Sequence, residues 1–320
     1  MIRIIFISII VSLFFFGCNT TDKVEAEIAK IDVNVKVSRF DREFASAKVG
    51  DFLKLKKTYP YLFPVQYSDS IWAAKMQDSI QVELFSEVGN FFPDFMDEKQ
   101  DLEALFQHIK YYFPQFNVPH VVTLTNDVEY NYRVILEDSL LLIGLDNYLG
   151  PKHRFYTDIH NYIAAGLDKK YMVSDITEDF ARKVVPRLRD RTFLSDLVYF
   201  GKILFLKDKL MPSASDAIKM RYSQEQLDWA INREELIWRN FIEQEHLYST
   251  DKDLQLRFIE PAPFSKFGLV LDNESPGRLG QYIGWQIVRS FMSKNEITVQ
   301  QLLKLPAEEI FKKSSYKPRK

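Results

Sequence analysis

Apolar positions along most of this chain return every three to four residues, the spacing of a helix with one buried face. In Asp101–Phe113, Leu102, Leu105, Phe106 and Ile109 fall at i, i+3, i+4 and i+7, and Pro114 ends the run. From Ser223 to Leu247 the same spacing aligns Leu227, Ile231, Ile237, Trp238, Phe241 and Ile242, with Ser223 and Gln226 forming a capping box at the start. Further helices are predicted over Thr157–Ala165, Asp175–Val185 and Thr192–Lys209, with Pro186 and Pro212 as breakers. Arg39 to Gly89 also reads as helical, with turns at Tyr59-Pro60 and Phe63-Pro64. A last helix is expected to start at Ser275-Pro276, with Ser as N-cap and Pro in the first turn. Leu279, Ile283, Ile287 and Phe291 then recur every fourth residue.

The period changes in the middle of the chain. Val121, Val122 and Leu124 make one β-rich run, and Arg133–Leu136 and Leu140–Ile143 make two more, joined through Glu137-Asp138-Ser139. The expected fold is therefore α+β: a mainly helical single domain over 36–320 with a small antiparallel sheet.

The first residues follow a different pattern. Arg3 precedes a 13-residue run, Ile4 to Phe16, that is apolar apart from Ser8 and Ser12 and ends at Gly17-Cys18. Such a run is too short to span a bilayer comfortably and has the length of a signal-peptide core. A small residue followed by cysteine is the cleavage point of a bacterial lipoprotein, and only a thiol forms the thioether to diacylglycerol. Residues 1–17 thus read as a lipoprotein signal peptide, Cys18 as the lipidation site, and 18–35 as a lipidated N-terminus and flexible tether. An ordinary signal peptide or an uncleaved anchor is the alternative. Charges interrupt every later apolar run, so the expected membrane contact is lipid, where each buried CH₂ contributes about 0.8 kcal/mol.

Composition narrows the function. Lys and Arg total 42 against 44 Asp and Glu, which leaves no basic surface for nucleic acid. One cysteine excludes a disulfide within the chain. The histidines are His108, His120, His153, His160 and His246, and none stands in H-E-x-x-H. His153 and His160 are seven apart, a chance spacing more often than a metal pair. Glycine fingerprints for nucleotides and the nucleophile elbow are absent from the sequence. Asp175, Glu178 and Asp179 share one predicted helix, where a solvated face is the plainer reading than acid–base chemistry. No metal, cofactor or catalytic residue is expected.

One segment is unusual. Ser275, Pro276, Gly277, Arg278, Gly280, Gly284 and Trp285 place three glycines in one predicted helix, at about 1 kcal/mol each relative to Ala. Gly280 and Gly284 lie one turn apart and would let another backbone pack closely. Alternatively, Gly277 and Arg278 would admit an anion at a helix N-terminus. These seven residues are the candidate structural element or partner surface.

Here the sequence resembles a known family. Glu260-Pro-Ala-Pro-Phe-Ser-Lys266 and Glu274-Ser-Pro-Gly-Arg-Leu-Gly-Gln-Tyr-Ile-Gly-Trp-Gln-Ile-Val288 are similar to the gliding-motility lipoprotein GldB family. Leu145-Asp-Asn-Tyr-Leu-Gly150, Tyr199-Phe-Gly-Lys-Ile-Leu-Phe205 with Met211-Pro212, and Trp238 ahead of Leu247-Tyr-Ser-Thr250 agree in order. The resemblance implies an envelope lipoprotein of Bacteroidota, needed for gliding and linked to the type IX secretion apparatus. Its expected partners are the membrane, through the anchor, and other gliding or secretion proteins of the envelope. It carries no reaction with it. A fainter likeness to helical zinc-peptidase-like proteins lacks the metal motif, since the helix around Asp175–Val185 has no His. The leading expectation is a non-catalytic, periplasm-facing accessory protein. An envelope hydrolase with an unrecognised metal site and a solute-binding lipoprotein are the alternatives.

Overall fold

Helices carry most of this chain, and one small sheet divides them into two unequal layers. The computed structural model describes residues 20–269 and 272–319, so Cys18 and the segment read as a signal peptide lie outside the described residues. Helix α1 (Thr20–Ile28) precedes strand β1 (Val37–Arg39) and four helices: α2 (Phe40–Ser46), α3 (Phe52–Thr58), α4 (Asp69–Gln77) and α5 (Ser79–Phe91). The long α6 (Met96–Tyr112) leads to β2 (His120–Leu124), β3 (Val134–Leu136) and β4 (Leu140–Gly144). Beyond the sheet come α7 (Asn161–Ala164), α8 (Met172–Val184), α9 (Phe193–Leu210), α10 (Asp216–Met220), α11 (Gln224–Asn232) and α12 (Glu234–Glu243). The chain closes with α13 (Asp253–Phe258), α14 (Leu279–Lys294), α15 (Val299–Lys304) and α16 (Ala307–Ser314). The fold is mainly helical α+β, as the periodicity implies.

The sheet is mixed, not antiparallel. Its order is β1-β2-β4-β3. The β3–β4 hairpin is antiparallel, with Ile135 opposite Leu142. Because β3 pairs on the outer edge of β4, the chain turns back and β4 runs parallel to β2, pairing Val122 with Leu142. Strand β1 adds in parallel, with Ser38 opposite Val122. Alternation along the strands serves two cores. Val121, Leu141, Ile143 and Leu136 face the main helical core, whereas Val122, Leu124, Leu140 and Leu142 pack on an aromatic layer of Phe40, Phe44, Tyr59, Phe63 and Phe85.

Several boundaries shift. The segment read as a tether folds from Thr20 onward: Ile28 and Val35 are buried, Glu25 pairs with His108, and Val35 N–H donates to Glu103 on α6. Ser223–Leu247 is two helices broken at Arg233, with the Ser223–Gln226 capping box present as expected. Only Asn161–Ala164 of the predicted Thr157–Ala165 is α-helical. Ser275 is not an N-cap, because α14 starts at Leu279. The hydroxyl that accepts from Leu279 N–H is Ser265, fourteen residues upstream.

The closest helix crossing is α9 on α14. A methyl group at Gly284 would overlap the Leu197 carbonyl, and one at Gly201 would overlap the Gly284 carbonyl. Gly280 instead stands against the Phe258 carbonyl of α13 and the side chains of Ile259 and Leu197. At Gly201 and Gly284 the missing side chains let the two backbones touch. That contact offsets the helix propensity the glycines give up.

Candidate functional site

Beside that crossing, the chain leaves a cleft of about 460 Å³, walled by Tyr130, Arg133, Tyr162, Arg221, Tyr222 and Arg278 among others. A second recess of about 210 Å³ shares Arg133 and Glu178 and extends to Asp175, Asp179 and Arg182. The floor is the polar face of α8. Its three carboxylates were expected on a solvated face, but Asp175 is only 5% exposed.

Asp175 and Glu178 are each held by two cations. Arg133 Nε donates to Asp175 Oδ2 at 2.6 Å and Tyr148 Oη donates to the same oxygen at 3.1 Å. Arg221 Nη1 lies 3.2 Å from Asp175 Oδ1, near enough for charge pairing but not aligned as a hydrogen bond. Burial alone would raise the Asp175 carboxyl, yet the Arg133 and Arg221 charges hold it below the usual carboxylate range. On Glu178, Arg182 Nη2 donates at 2.7 Å and the buried Lys207 Nζ at 3.0 Å. Those charges overcome desolvation and keep Glu178 well below its ordinary value. Lys207 also donates to Ser174 Oγ and the Lys219 carbonyl, so its ammonium is saturated.

Arg278 differs. Its Nη2 donates to the Arg221 carbonyl at 3.0 Å, and the Tyr222 ring lies 5.3 Å from the guanidinium carbon. Among the described residues no carboxylate lies within ion-pairing distance of it. Burial pushes the guanidinium down from its usual value, and the Arg221 charge adds to that push. Arg278 and Arg221 share a further property: both are left-handed, with φ of 62° and 53°. Such conformations favour Gly or Asn, and a long side chain there costs about 1 kcal/mol or more. Arg221 ends α10 and Arg278 precedes α14, so two strained termini deliver two guanidiniums to one wall. Gly166 makes room for the Arg221 guanidinium, because a Cβ there would come within 2.8 Å of its Nη2.

The opposite wall is the turn after β2. Asp127 and Val128 both have positive φ. Asp146 holds them, accepting from Asn126 N–H at 3.1 Å and Val128 N–H at 2.7 Å. Asn147 Nδ2 donates to Asn126 Oδ1, Tyr156 Oη to the Asp146 carbonyl, and Tyr148 reaches Asp175. Leu145–Tyr148 is therefore a strap that ties the turn to the α8 floor.

The seven residues singled out as structural element or partner surface divide accordingly. Ser275, Pro276, Gly277, Gly280, Gly284 and Trp285 are buried and offer no surface to a partner. Ser275 exchanges hydrogen bonds with Ser265, and Trp285 Nε1 donates to Asp208 Oδ2 at 2.9 Å beneath the Arg289 guanidinium. Only Gly277 and Arg278 reach the cleft. Arg133, Tyr148, Lys207 and Arg221 carried no local signal in the sequence, since elements far apart bring them together.

The histidines lie apart. His153 accepts from Phe155 N–H at the start of a short turn, His160 stacks on Tyr162, and His120 bonds Ser38 Oγ at 2.9 Å. No group of three or more His, Cys, Asp or Glu among the described residues is placed to hold a metal ion.

The family model for gliding motility protein GldB matches residues 21–318, nearly the whole chain. The chain belongs to the GldB family. No curated protein and no solved structure matches it. The segments quoted for the resemblance have defined places in the fold: Leu145–Gly150 contains the strap, Tyr199–Phe205 lies in α9, and Ser275–Val288 supplies Arg278 and the glycine crossing. In this GldB-family chain they build the walls of the cleft and the helix pair behind it. Among the described residues no helix is long and apolar enough to cross a membrane.

Proposed function

We propose that this GldB-family chain is a lipid-anchored accessory protein of the cell envelope, held through Cys18, that serves gliding by binding other proteins of the gliding and secretion machinery. Contact, not turnover, is its task in this reading. The supporting observation is the aromatic layer on the outer face of the sheet. Of the eighteen large hydrophobic side chains exposed among the described residues, nine come from positions 49–91, including Leu53, Val65, Ile71 and Val82. Scattered exposed apolar residues are ordinary, but their concentration in this layer supports a role in contacting another protein.

The test is complementation of a deletion strain. Cys18→Ser should release the protein from the membrane fraction and abolish spreading. The double substitution Ile71→Asp, Val82→Asp should leave the protein membrane-bound and abundant, yet reduce spreading and lose crosslinks to envelope partners. A Cys18→Ser protein that stays on the membrane and supports full gliding would overturn the anchor. Stoichiometric zinc in purified protein would favour the hydrolase alternative instead.

A further inference from the structure

We propose that the cleft between the Tyr130–Arg133 turn and the start of α14 is a binding site for a small oxyanion, a carboxylate or phosphate group seated on Arg278 and Arg221. This inference does not depend on the protein-contact reading.

The argument is one of charge pairing. Asp175 is matched by Arg133 and Arg221, and Glu178 by Arg182 and Lys207, so each of these two carboxylates already serves two cations. Asp179 accepts from the Leu136 backbone N–H at 2.9 Å, and Glu260 stands exposed at the rim. Arg278 keeps most of its five N–H donors unspent, giving the described residues only the bond to the Arg221 carbonyl. A half-buried guanidinium with no carboxylate at ion-pairing distance among the described residues is incompletely matched, and an oxyanion in the cleft would supply the missing partner. The conformational strain points the same way. A left-handed backbone would suit glycine at both positions, yet both hold arginine, so what the side chains do must offset that cost. Size agrees: about 460 Å³ lies within the range of small-molecule sites, and Tyr130, Tyr162 and Tyr222 contribute to its lining.

The experiment uses the full chain purified in mild detergent, titrated with sodium phosphate and with sodium acetate at constant ionic strength set by chloride. Thermal midpoint and calorimetric heat are the readouts. Saturable binding of either anion supports the site, with phosphate alone indicating a phosphoryl ligand and acetate alone a carboxylate. Arg278→Gln should weaken that binding at least tenfold. Because removing Arg278 also disturbs a packed wall, Gln226→Glu is the second variant. It keeps the capping box, where Gln226 Oε1 accepts from Ser223 N–H, while adding negative charge at the cleft lining, and should weaken binding several-fold with an anion-free midpoint at or above the parent's. Arg239→Gln, on the exposed face of α12, should bind as the parent does. The proposal is overturned if neither anion binds saturably, or if both cleft variants bind as tightly as the parent.

Discussion

Gly284 and Gly89 both sit in helices, yet the same substitution should move stability in opposite directions. At Gly284 an added methyl has no room against the Leu197 carbonyl, and forcing the α9–α14 pair apart should cost at least 1–3 kcal/mol, more than helix propensity returns. At Gly89 nothing lies within 4 Å of an added Cβ, so Gly89→Ala should stabilise by up to about 1 kcal/mol. Urea midpoints of the two alanine variants check both signs. Asp175 is a second sharp case. Asp175→Ala would strand Arg133 and Arg221 around an empty floor, and breaking such a buried pair costs about 3–5 kcal/mol. The glycines were legible in the sequence because two of them stand one turn apart in a single stretch. Asp175 was legible only as a helix residue, since its partners come from positions 133, 148 and 221.

Elements were readable where their signals are local and obscure where they are not. The Ser223–Gln226 box, Thr192 ahead of α9 and Pro114 after α6 all mark ends within a few residues of where they act. The start of α14 defeats that logic. Ser275-Pro276 has the right chemistry for an N-cap, but Ser265 fills the role from another segment, accepting from Leu279 N–H and donating to the Pro276 carbonyl. Ser265→Ala should therefore cost about 1–2 kcal/mol, at the upper end for a cap, and more than Ser223→Ala at its exposed box. Chemical denaturation of the pair gives the ranking. Strand β1 was missed although Val33, Val35 and Val37 alternate with polar residues, because three residues of strand look stable only once β2 is beside them. The supposed tether failed for a similar reason. Residues 20–28 offer only Val24 and Ile28 as large apolar side chains, and it is α6 that supplies their partners.

At the scale of the whole molecule, buried carboxylates with opposite shifts should give stability a maximum on the acid side of neutrality. Desolvation raises Asp146 from 3.8 to about 6, outweighing its backbone hydrogen bonds. The folded state then binds its proton more readily than the unfolded chain, so this group weakens the fold above pH 6 and the penalty, roughly 3 kcal/mol, is relieved as pH falls from 6 towards 3.8. Asp175 and Glu178 act in the other sense. Both are depressed below their ordinary 3.8 and 4.5, so their contribution is present above those values and lost as pH falls through the lower folded ones. Urea midpoints at pH 7, 5 and 3 should rise and then drop. Asp146→Asn should remove the rise and leave the drop.

The contact of α9 with α14 has a mechanical consequence for the cleft. Backbones that meet without intervening side chains cannot slide by a rotamer's width, as ordinary helix pairs can. Arg278, fixed at the head of α14, thus waits at a set position relative to Lys207 and the α8 floor. An arriving anion would find its seat already in place, and little of the binding energy would go into reshaping the host.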